Sequence, residues 1–453
     1  MTADSRYLRL TVIASLAGLL FGFDTAVISG VTQALRQIFQ LSPAALGIAV
    51  SSALWGTLCG ALIAGKLGDR FGSRDMLKVV GLFYLVSAIG CSLAWSLDSF
   101  ISFRFIGGLA VGGSSVLAPV YITELVPAQR RGALVGLFQF NIVLGILIAY
   151  FSNFLLGSLV GGPDAWRWKL LSGAVPAGVF LGLLFAIPQS PRWLVVKRRL
   201  QEATAVLERL QVADAAAQIR LYRQAGHAED APSQTTSLSW RLHRRPILLA
   251  IALALFNQLA GINAILYYLN DIFRAAGFSS TSSDLQAIAV GGANFVATIA
   301  ALSLIDRIGR KTLLLIGSVG TALTLAGVAV IMATGIGRAW LLWLLMAFIA
   351  SFAFSQGAVI WVYLSEIFPS EVRSRGQALG SGTHWLANAV ISRYFPLVAA
   401  VTTALPFEFF AGCMVLQFFV VWLAFPETKR ATLESLSAAL EADAPHAVPA
   451  RSL

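Results

Sequence analysis

Apolar residues run along this chain in blocks of about twenty or more, separated by shorter polar and charged stretches. Twelve blocks predict twelve helices, at about 9–30, 44–65, 77–96, 99–122, 133–157, 169–188, 246–272, 284–305, 312–334, 339–364, 377–400 and 404–425. A helix of roughly 20 apolar residues spans the hydrocarbon core of a bilayer. It also satisfies its backbone N–H and C=O groups internally, as a water-free environment requires. The pattern therefore predicts an all-α membrane protein that takes the lipid bilayer as its solvent. The first block is too long for a signal-peptide core, and no small-residue cleavage pattern follows it, so it is expected to be retained.

Polar segments organise the blocks into halves. The one long hydrophilic stretch, 189–245, holds a charged helical piece at about 201–223 and a Pro/Ser/Thr-rich piece at 231–239. It divides an N-terminal six-helix bundle, 1–188, from a C-terminal one, 246–425, and a polar tail occupies 426–453. The halves repeat weakly. Gly68-Asp69-Arg70-Phe71-Gly72 recurs as Ile305-Asp306-Arg307-Ile308-Gly309, an offset of 237. Glu124, Pro127 and Arg131 recur as Glu366, Pro369 and Arg373, an offset of 242. Near-equal offsets indicate one six-helix unit used twice, and such repeats bind substrate between them near the midplane. Small-residue spacings such as Gly56/Gly60, Gly108/Gly112 and Gly376/Gly380 let helices approach closely.

Charge fixes the expected orientation. With the N-terminus on the cytoplasmic side, 26 of the 33 Lys and Arg residues fall in cytoplasmic segments. Without the long central segment the ratio is still 16 to 7. The excess of cytoplasmic Lys and Arg predicts that both termini face the cytoplasm, in the cell (inner) membrane. The net charge of +11 then reflects topology, not a nucleic-acid partner. Charged residues make up only 12% and hydrophobic residues 57%, whereas soluble domains carry about 25% charged residues. That composition is a poor fit to a soluble enzyme, a disordered chain or a nucleic-acid-binding module. Cys59, Cys91 and Cys413 all lie in apolar blocks without metal-ligand or disulfide spacing, so no metal or other cofactor is expected.

Longer motifs narrow the class. The first block holds Phe21-Gly22-Phe23-Asp24-Thr25-Ala26-Val27-Ile28-Ser29-Gly30, and Pro188-Gln189-Ser190-Pro191-Arg192-Trp193-Leu194 follows the sixth. The seventh holds Gln258-Leu259-Ala260-Gly261-Ile262-Asn263-Ala264, and the tail opens Pro426-Glu427-Thr428-Lys429. In combination these resemble the sugar porter family of the major facilitator superfamily over about 8–432. The likeness is nearest to bacterial proton-coupled pentose and hexose symporters. The resemblance implies two six-helix bundles, a monosaccharide and a proton as partners, and function as a monomer.

Among the charges that fall in apolar blocks, Asp24 and Arg104 are the two read as lying within the membrane interior. Intramembrane charges usually face a bundle interior or a wet cavity and pair with one another. Burial raises the proton affinity of a carboxyl and a neighbouring arginine lowers it, a balance that suits loading and release. The resemblance implies that Asp24 carries the coupled proton and Arg104 tunes it.

A sugar offers many hydroxyls and an apolar C–H face. Amides match the hydroxyls with two donors and an acceptor, and aromatic rings match the C–H face. Gln139, Asn141, Asn257, Gln258, Asn263, Asn294, Trp361, Trp385 and Asn388 supply these groups within the blocks. Gln258 and Asn263 point about 140° apart on a regular helix, so reaching one ligand requires a break near Gly261. Asn263 and Tyr267 share a face, and the tyrosine can close over a ligand. The resemblance implies sugar contacts at Phe21, Gln139, Gln258, Asn263, Asn294, Gly357, Trp361 and Trp385. Asn257 and His384 depart from the glutamines usual there, and Ala358 from a proline, which leaves the choice of sugar open.

The repeated motifs imply a cytoplasmic gate. Asp69, Arg70, Asp306 and Arg307 sit in short loops; Glu124, Arg131, Glu366 and Arg373 sit at helix ends. In the family such residues pair in one state and separate in the other, biasing a two-state equilibrium. Ser73 stands where a basic residue is usual, with Arg74 as a candidate substitute, and Gln189 where a glutamate is usual. Together these features indicate secondary transport of a hexose or pentose coupled to protons by alternating access. The alternatives are a sugar uniporter and a non-transporting sugar sensor. No nucleotide-binding loop or catalytic constellation suggests an enzyme.

Overall fold

A computed structural model gives the chain over residues 3–126, 131–212, 214–230, 238–369 and 372–429, with side chains at 3–6, 131–135, 225–230, 241, 302, 303 and 306 excepted. Most of the polar tail and the Pro/Ser/Thr-rich piece of the central segment lie outside the described residues. The first half runs through α1 (Ala3–Val27), α2 (Thr32–Ile38), α3 (Pro43–Phe71), α4 (Ser73–Ser92), α5 (Leu97–Leu125), α6 (Arg131–Leu159), α7 (Ala165–Leu171) and α8 (Ala174–Leu184). The central segment holds α9 (Pro191–Val196), α10 (Leu200–Arg209) and α11 (Ala215–Asp230). The second half runs through α12 (Trp240–Leu259), α13 (Ile262–Tyr267), α14 (Leu269–Ala275), α15 (Ser280–Ile308), α16 (Arg310–Thr334), α17 (Leu341–Phe352), α18 (Ala358–Glu366), α19 (Arg373–Val401) and α20 (Leu405–Ala424).

Among the described residues, ten helical spans are long and apolar enough to cross a membrane. The pair α7–α8 and the more polar α19 complete twelve, each over one of the blocks read from the sequence. Four blocks are not single α-helices, the first ending in a 3-10 turn over Ile28–Gly30. The sixth breaks between α7 and α8. The seventh breaks after Leu259, where Gly261 has φ +79°. The tenth carries a π turn over Ala353–Gly357 between α17 and α18. The charged helical piece is also two helices, separated where Gln211 takes φ +59°.

Local chemistry sets several of the other ends. Ser42 accepts from Ala45 N at 3.2 Å and Pro43 opens α3, using the residue types that suit a cap and a first helical position. Ser96 and Ser99 bond reciprocally at the start of α5. Gly72 and Gly309, at φ +91° and +105°, make the sharp turns after each Asp-Arg pair.

The helices form two compact units. The first comprises Met1–Ser233, Asn263–Phe295 and Asn388–Thr403; the second comprises Gln234–Ile262, Val296–Ala387 and Ala404–Leu453. Within the first unit α3 and α5 pack backbone to backbone. A Cβ on Gly56, Gly60, Gly108 or Gly112 would overlap a carbonyl oxygen of the facing helix, so glycine spacing sets that crossing. Still within the first unit, segments from the second half of the sequence seat on first-half helices. Tyr150 OH of α6 donates to Leu266 O at 3.0 Å, and Gly291 of α15 lies against the Tyr150 ring. In the second unit, α12, α16, α18 and the end of α20 share an apolar core that includes Leu253, Leu313, Tyr363, Phe368 and Phe425.

Candidate functional site

The first unit brings the two intramembrane charges together. Arg104 Nη1 of α5 donates to Asp24 Oδ1 of α1 at 2.6 Å. The arginine side chain is 4% exposed and the aspartate 18%. A charge buried alone is costly, and here each ion offsets the desolvation of the other. A cavity of about 30 Å³ lies against the pair, lined by Asp24, Arg104, Phe23, Tyr84, Ser87 and Cys91 among others. One water needs about 10–15 Å³ by this measure, so a proton donor fits beside the carboxylate.

The amide and aromatic candidates divide between the two units. In the first, Asn388 Nδ2 donates to Tyr267 OH at 3.4 Å, and Ser392 Oγ donates to Asn388 Oδ1 at 3.2 Å. Phe21, Gln139 and Asn263 are half-buried, while Asn294 is 8% exposed. Asn141 has a different use. Its Nδ2 donates to Ser15 Oγ at 2.8 Å and to Leu137 O at 3.0 Å, tying α6 to α1.

In the second unit the amides form a chain. Asn257 Nδ2 donates to Gln356 O at 3.3 Å, inside the π turn, and Gln258 Nε2 donates to Asn257 Oδ1 at 2.9 Å. Gln258 Nε2 also lies 3.2 Å from both ring nitrogens of His384. His384 packs between Trp361 and Trp385, with ring centroids 5.2 and 5.0 Å away. Trp385 is buried, whereas Trp361 is 43% exposed. Gly357 closes the π turn, and π turns inside helices are frequent at functional sites. The helix break after Gln258 is the one the sequence required: a Cβ on Gly261 would overlap the Phe410 ring. Buried amides held by neighbours offer a polar ligand fixed dipoles, with less ordering left for binding.

Of the repeated acid and base residues, Glu124 and Glu366 anchor comparable networks, one in each unit. In the first, Ser73 Oγ donates to Glu124 Oε2 at 3.4 Å, and Trp193 Nε1 donates to Asp69 O at 3.0 Å. Arg70 stacks on Phe71, 5.1 Å from the ring centroid. Arg74 does not take over from Ser73; its guanidinium pairs with Asp75 at 2.8 Å. Gln189 Oε1 accepts from Arg74 N at 3.2 Å and Ser190 N at 3.1 Å, and its Nε2 donates to Asp75 Oδ2 at 3.2 Å. In the second, Arg310 Nη2 pairs with Glu366 Oε1 at 2.9 Å, and Thr428 Oγ1 donates to Glu366 Oε2 at 2.5 Å. Glu427 caps α16, accepting from Arg310 N at 2.9 Å and Lys311 N at 3.1 Å. Arg373 Nε donates to Phe368 O at 3.4 Å, and the Arg307 carbonyl accepts from Lys429 Nζ. The side chains of Arg131 and Asp306 lie outside the described residues.

Sequence reasoning passed over the roles of Arg310, Glu427 and Thr428, although a signal was present. Pro188-Gln189-Ser190 and Pro426-Glu427-Thr428 stand 238 apart, nearly the offset of the Asp-Arg pairs. In each unit the middle residue of that triplet caps the helix after the glycine turn. It also passed over Lys169, Asn270 and Asp284, which meet at the opposite end of the first unit.

Comparison with known proteins agrees with this architecture. The family profile described as sugar (and other) transporter matches residues 10–440. The D-xylose-proton symporter of Escherichia coli (strain K12) is 35% identical, with 95% of this chain and 95% of that protein covered. The arabinose-proton symporter of Bacillus subtilis (strain 168) is 35% identical over 94% of this chain and 93% of its own. Among solved structures, the E. coli xylose transporter XylE in an inward-open conformation matches with a TM-score of 0.85. That match is at 32% identity and covers 96% of this chain and 99% of that one. The same symporter bound to 6-bromo-6-deoxy-D-glucose matches at 0.77 and 32% identity, covering 97% and 100%. The chain belongs to the sugar porter family of the major facilitator superfamily.

Proposed function

We propose that the chain is a proton-coupled monosaccharide symporter that works by alternating access, and that its cargo is a pentose or hexose. The observation that carries this reading is the Asp24–Arg104 pair, buried among apolar helices and set against a water-sized cavity. Protonation of Asp24 frees Arg104 from its partner, and deprotonation restores the pair. A proton is thereby traded for a local rearrangement that a two-state transporter can use. The xylose and arabinose symporters among the relatives support the substrate class.

In this reading the amide and aromatic candidates supply the sugar contacts, with Trp361 as the platform for the C–H face. The six-helix repeats, 1–188 and 246–425, rock about them. Both termini, the Asp-Arg turns and the helices of 189–245 face the cytoplasm. The Glu124 and Glu366 networks lie at that face and act as the inner gate. At the opposite end of the first unit, 263–295 seats on first-half helices. The test is uptake of labelled pentoses and hexoses into proteoliposomes with and without an imposed pH gradient. Concentrative uptake of at least one sugar, present only with the gradient, is expected. Uptake that merely equilibrates under both conditions would favour the uniporter.

A further inference from the structure

At the end of the first unit away from the Asp69-Arg70 turn, five segments converge on one buried ion pair. Lys169 Nζ of α7 lies 3.5 Å from Asp284 Oδ2 of α15 and donates to Gly30 O, after α1, at 3.2 Å. Asn270 Nδ2 of α14 donates to the other carboxylate oxygen of Asp284. Gly157 of α6 completes the ring; a Cβ there would stand 3.2 Å from Lys169 Nζ and 3.4 Å from Asp284 Oδ2. Lys169, Asp284 and Asn270 are 7%, 8% and 6% exposed. Lys169, Gly30 and Gly157 come from the first sequence repeat, whereas Asn270 and Asp284 come from the second.

An apolar contact would hold these helices together at least as firmly, because a buried ion pair roughly breaks even against well-packed hydrophobic residues. What the pair adds is dependence on water. Dry, each ion needs the other; hydrated, each loses most of that need, since Coulomb attraction falls as the surrounding dielectric rises. A polar cavity of about 290 Å³ adjoins the cluster, with Gln33, Gln37, Arg274, Ser280 and Thr281 in its lining. Water filling that cavity reaches the pair directly once the helices begin to part. The contact is therefore firm when shut and weak when open, which is how a gate between two discrete states should behave.

We propose that Lys169 and Asp284, positioned by Asn270, form the latch of the outer gate and must separate for sugar to enter from outside. The proposal rests on the transport reading for the meaning of "outer", but not for the latch itself. The experiment is a spin-label distance measurement between cysteines placed at Gln37 and Thr281, in the full-length protein with native cysteines replaced, in lipid nanodiscs. The otherwise unaltered protein should show mainly one short distance. Lys169→Met leaves Asp284 buried without its cation, and should raise the long-distance population on the order of tenfold or more. Gly157→Leu wedges the pair while leaving both charges in place, and should act in the same direction. Combining Lys169→Asp with Asp284→Lys should return the short distance. A folded Lys169→Met protein with an unchanged distance distribution overturns the latch, as does an unchanged distribution in Gly157→Leu. Parallel uptake assays separate the two readings. An outer end that opens in Lys169→Met while the unaltered protein moves no sugar would sink the transport reading and keep the latch. Normal sugar uptake with an unmoved outer end would do the reverse.

Discussion

Replacing Asp24 by Asn removes the charge but keeps an oxygen that can accept from Arg104 at nearly the same place. The magnitude follows from the burial. Arg104 is 4% exposed and its bond to Asp24 is 2.6 Å, so removing every partner leaves an uncompensated buried cation, at a cost of about 3–5 kcal/mol. The amide oxygen recovers part of that, because a hydrogen bond to a charged group contributes about 1.5–3 kcal/mol. Asp24→Asn should therefore fold, while Asp24→Leu should be less stable than Asp24→Asn by about 2 kcal/mol. The functional effect is sharper. With one proton per sugar, a gradient of one pH unit supplies about 1.4 kcal/mol and supports about tenfold accumulation. Asp24→Asn cannot exchange a proton at this site, so accumulation should fall to unity while sugar-for-sugar exchange continues. The assay is a pH-sensitive dye inside proteoliposomes, read alongside labelled-sugar uptake and counterflow. Sugar-driven proton entry in Asp24→Asn at the rate of the unaltered protein would refute the reasoning. So would a protein that neither accumulates nor exchanges sugar although it is folded, because the aspartate would then do more than carry charge.

Three further outcomes follow from contacts described above. Ser73→Arg should set a guanidinium beside Glu124 as Arg310 sets one beside Glu366, adding to the attraction of Arg192 and raising stability by about 1 kcal/mol; a lowered melting temperature in detergent would count against the proposed equivalence of the two networks. His384→Phe should lose the Gln258 contact while keeping an aromatic ring beside Trp361 and Trp385, weakening sugar binding about tenfold with the proton-to-sugar ratio unchanged; equal affinity by tryptophan fluorescence titration would remove His384 from the site. Gly261→Ala meets both a positive φ and the Phe410 ring, and should cost about 1–3 kcal/mol; Phe410→Ala should relieve part of that cost in the double variant, and strict additivity of melting shifts would place the strain elsewhere.

Much of this fold is legible in the sequence because a bilayer allows few answers. Apolar blocks of fixed length must be helices, so all twelve blocks correspond to helical segments, and one interruption falls at a residue with a physical reason to interrupt. Gly261 is that residue: the angular separation of Gln258 and Asn263 demanded a break before the structure placed one there. The Asp24–Arg104 pair was legible for the same kind of reason, since a charge set well inside an apolar helix needs an opposite charge from a neighbouring one. Sequence reasoning runs out where a contact depends on which helices are neighbours. Asn141 has the same composition signal as the ligand candidates, yet it serves to tie α6 to α1, because only packing decides that Ser15 faces it.

Lys169 and Asp284 illustrate the deeper difficulty. They are 115 residues apart and lie near the ends of their apolar blocks. A count of loop charges treats such residues as topology markers, and nothing local distinguishes a solvated lysine from one that closes over an aspartate. By contrast, the caps made by Gln189 and Glu427 were recoverable, because a duplicated bundle must solve the same helix-end problem twice. Each α-helix start after a glycine turn leaves unbonded N–H groups, and each repeat meets them with the side chain that follows a proline at the exit of its sixth span. An internal repeat thus acts as a second observation of one fold. Positions where the two halves agree report what the bundle needs to stand. Positions where they differ, such as Ser73 against Arg310 or Asp24 with no charged counterpart at that offset, report what one half has and the other does without.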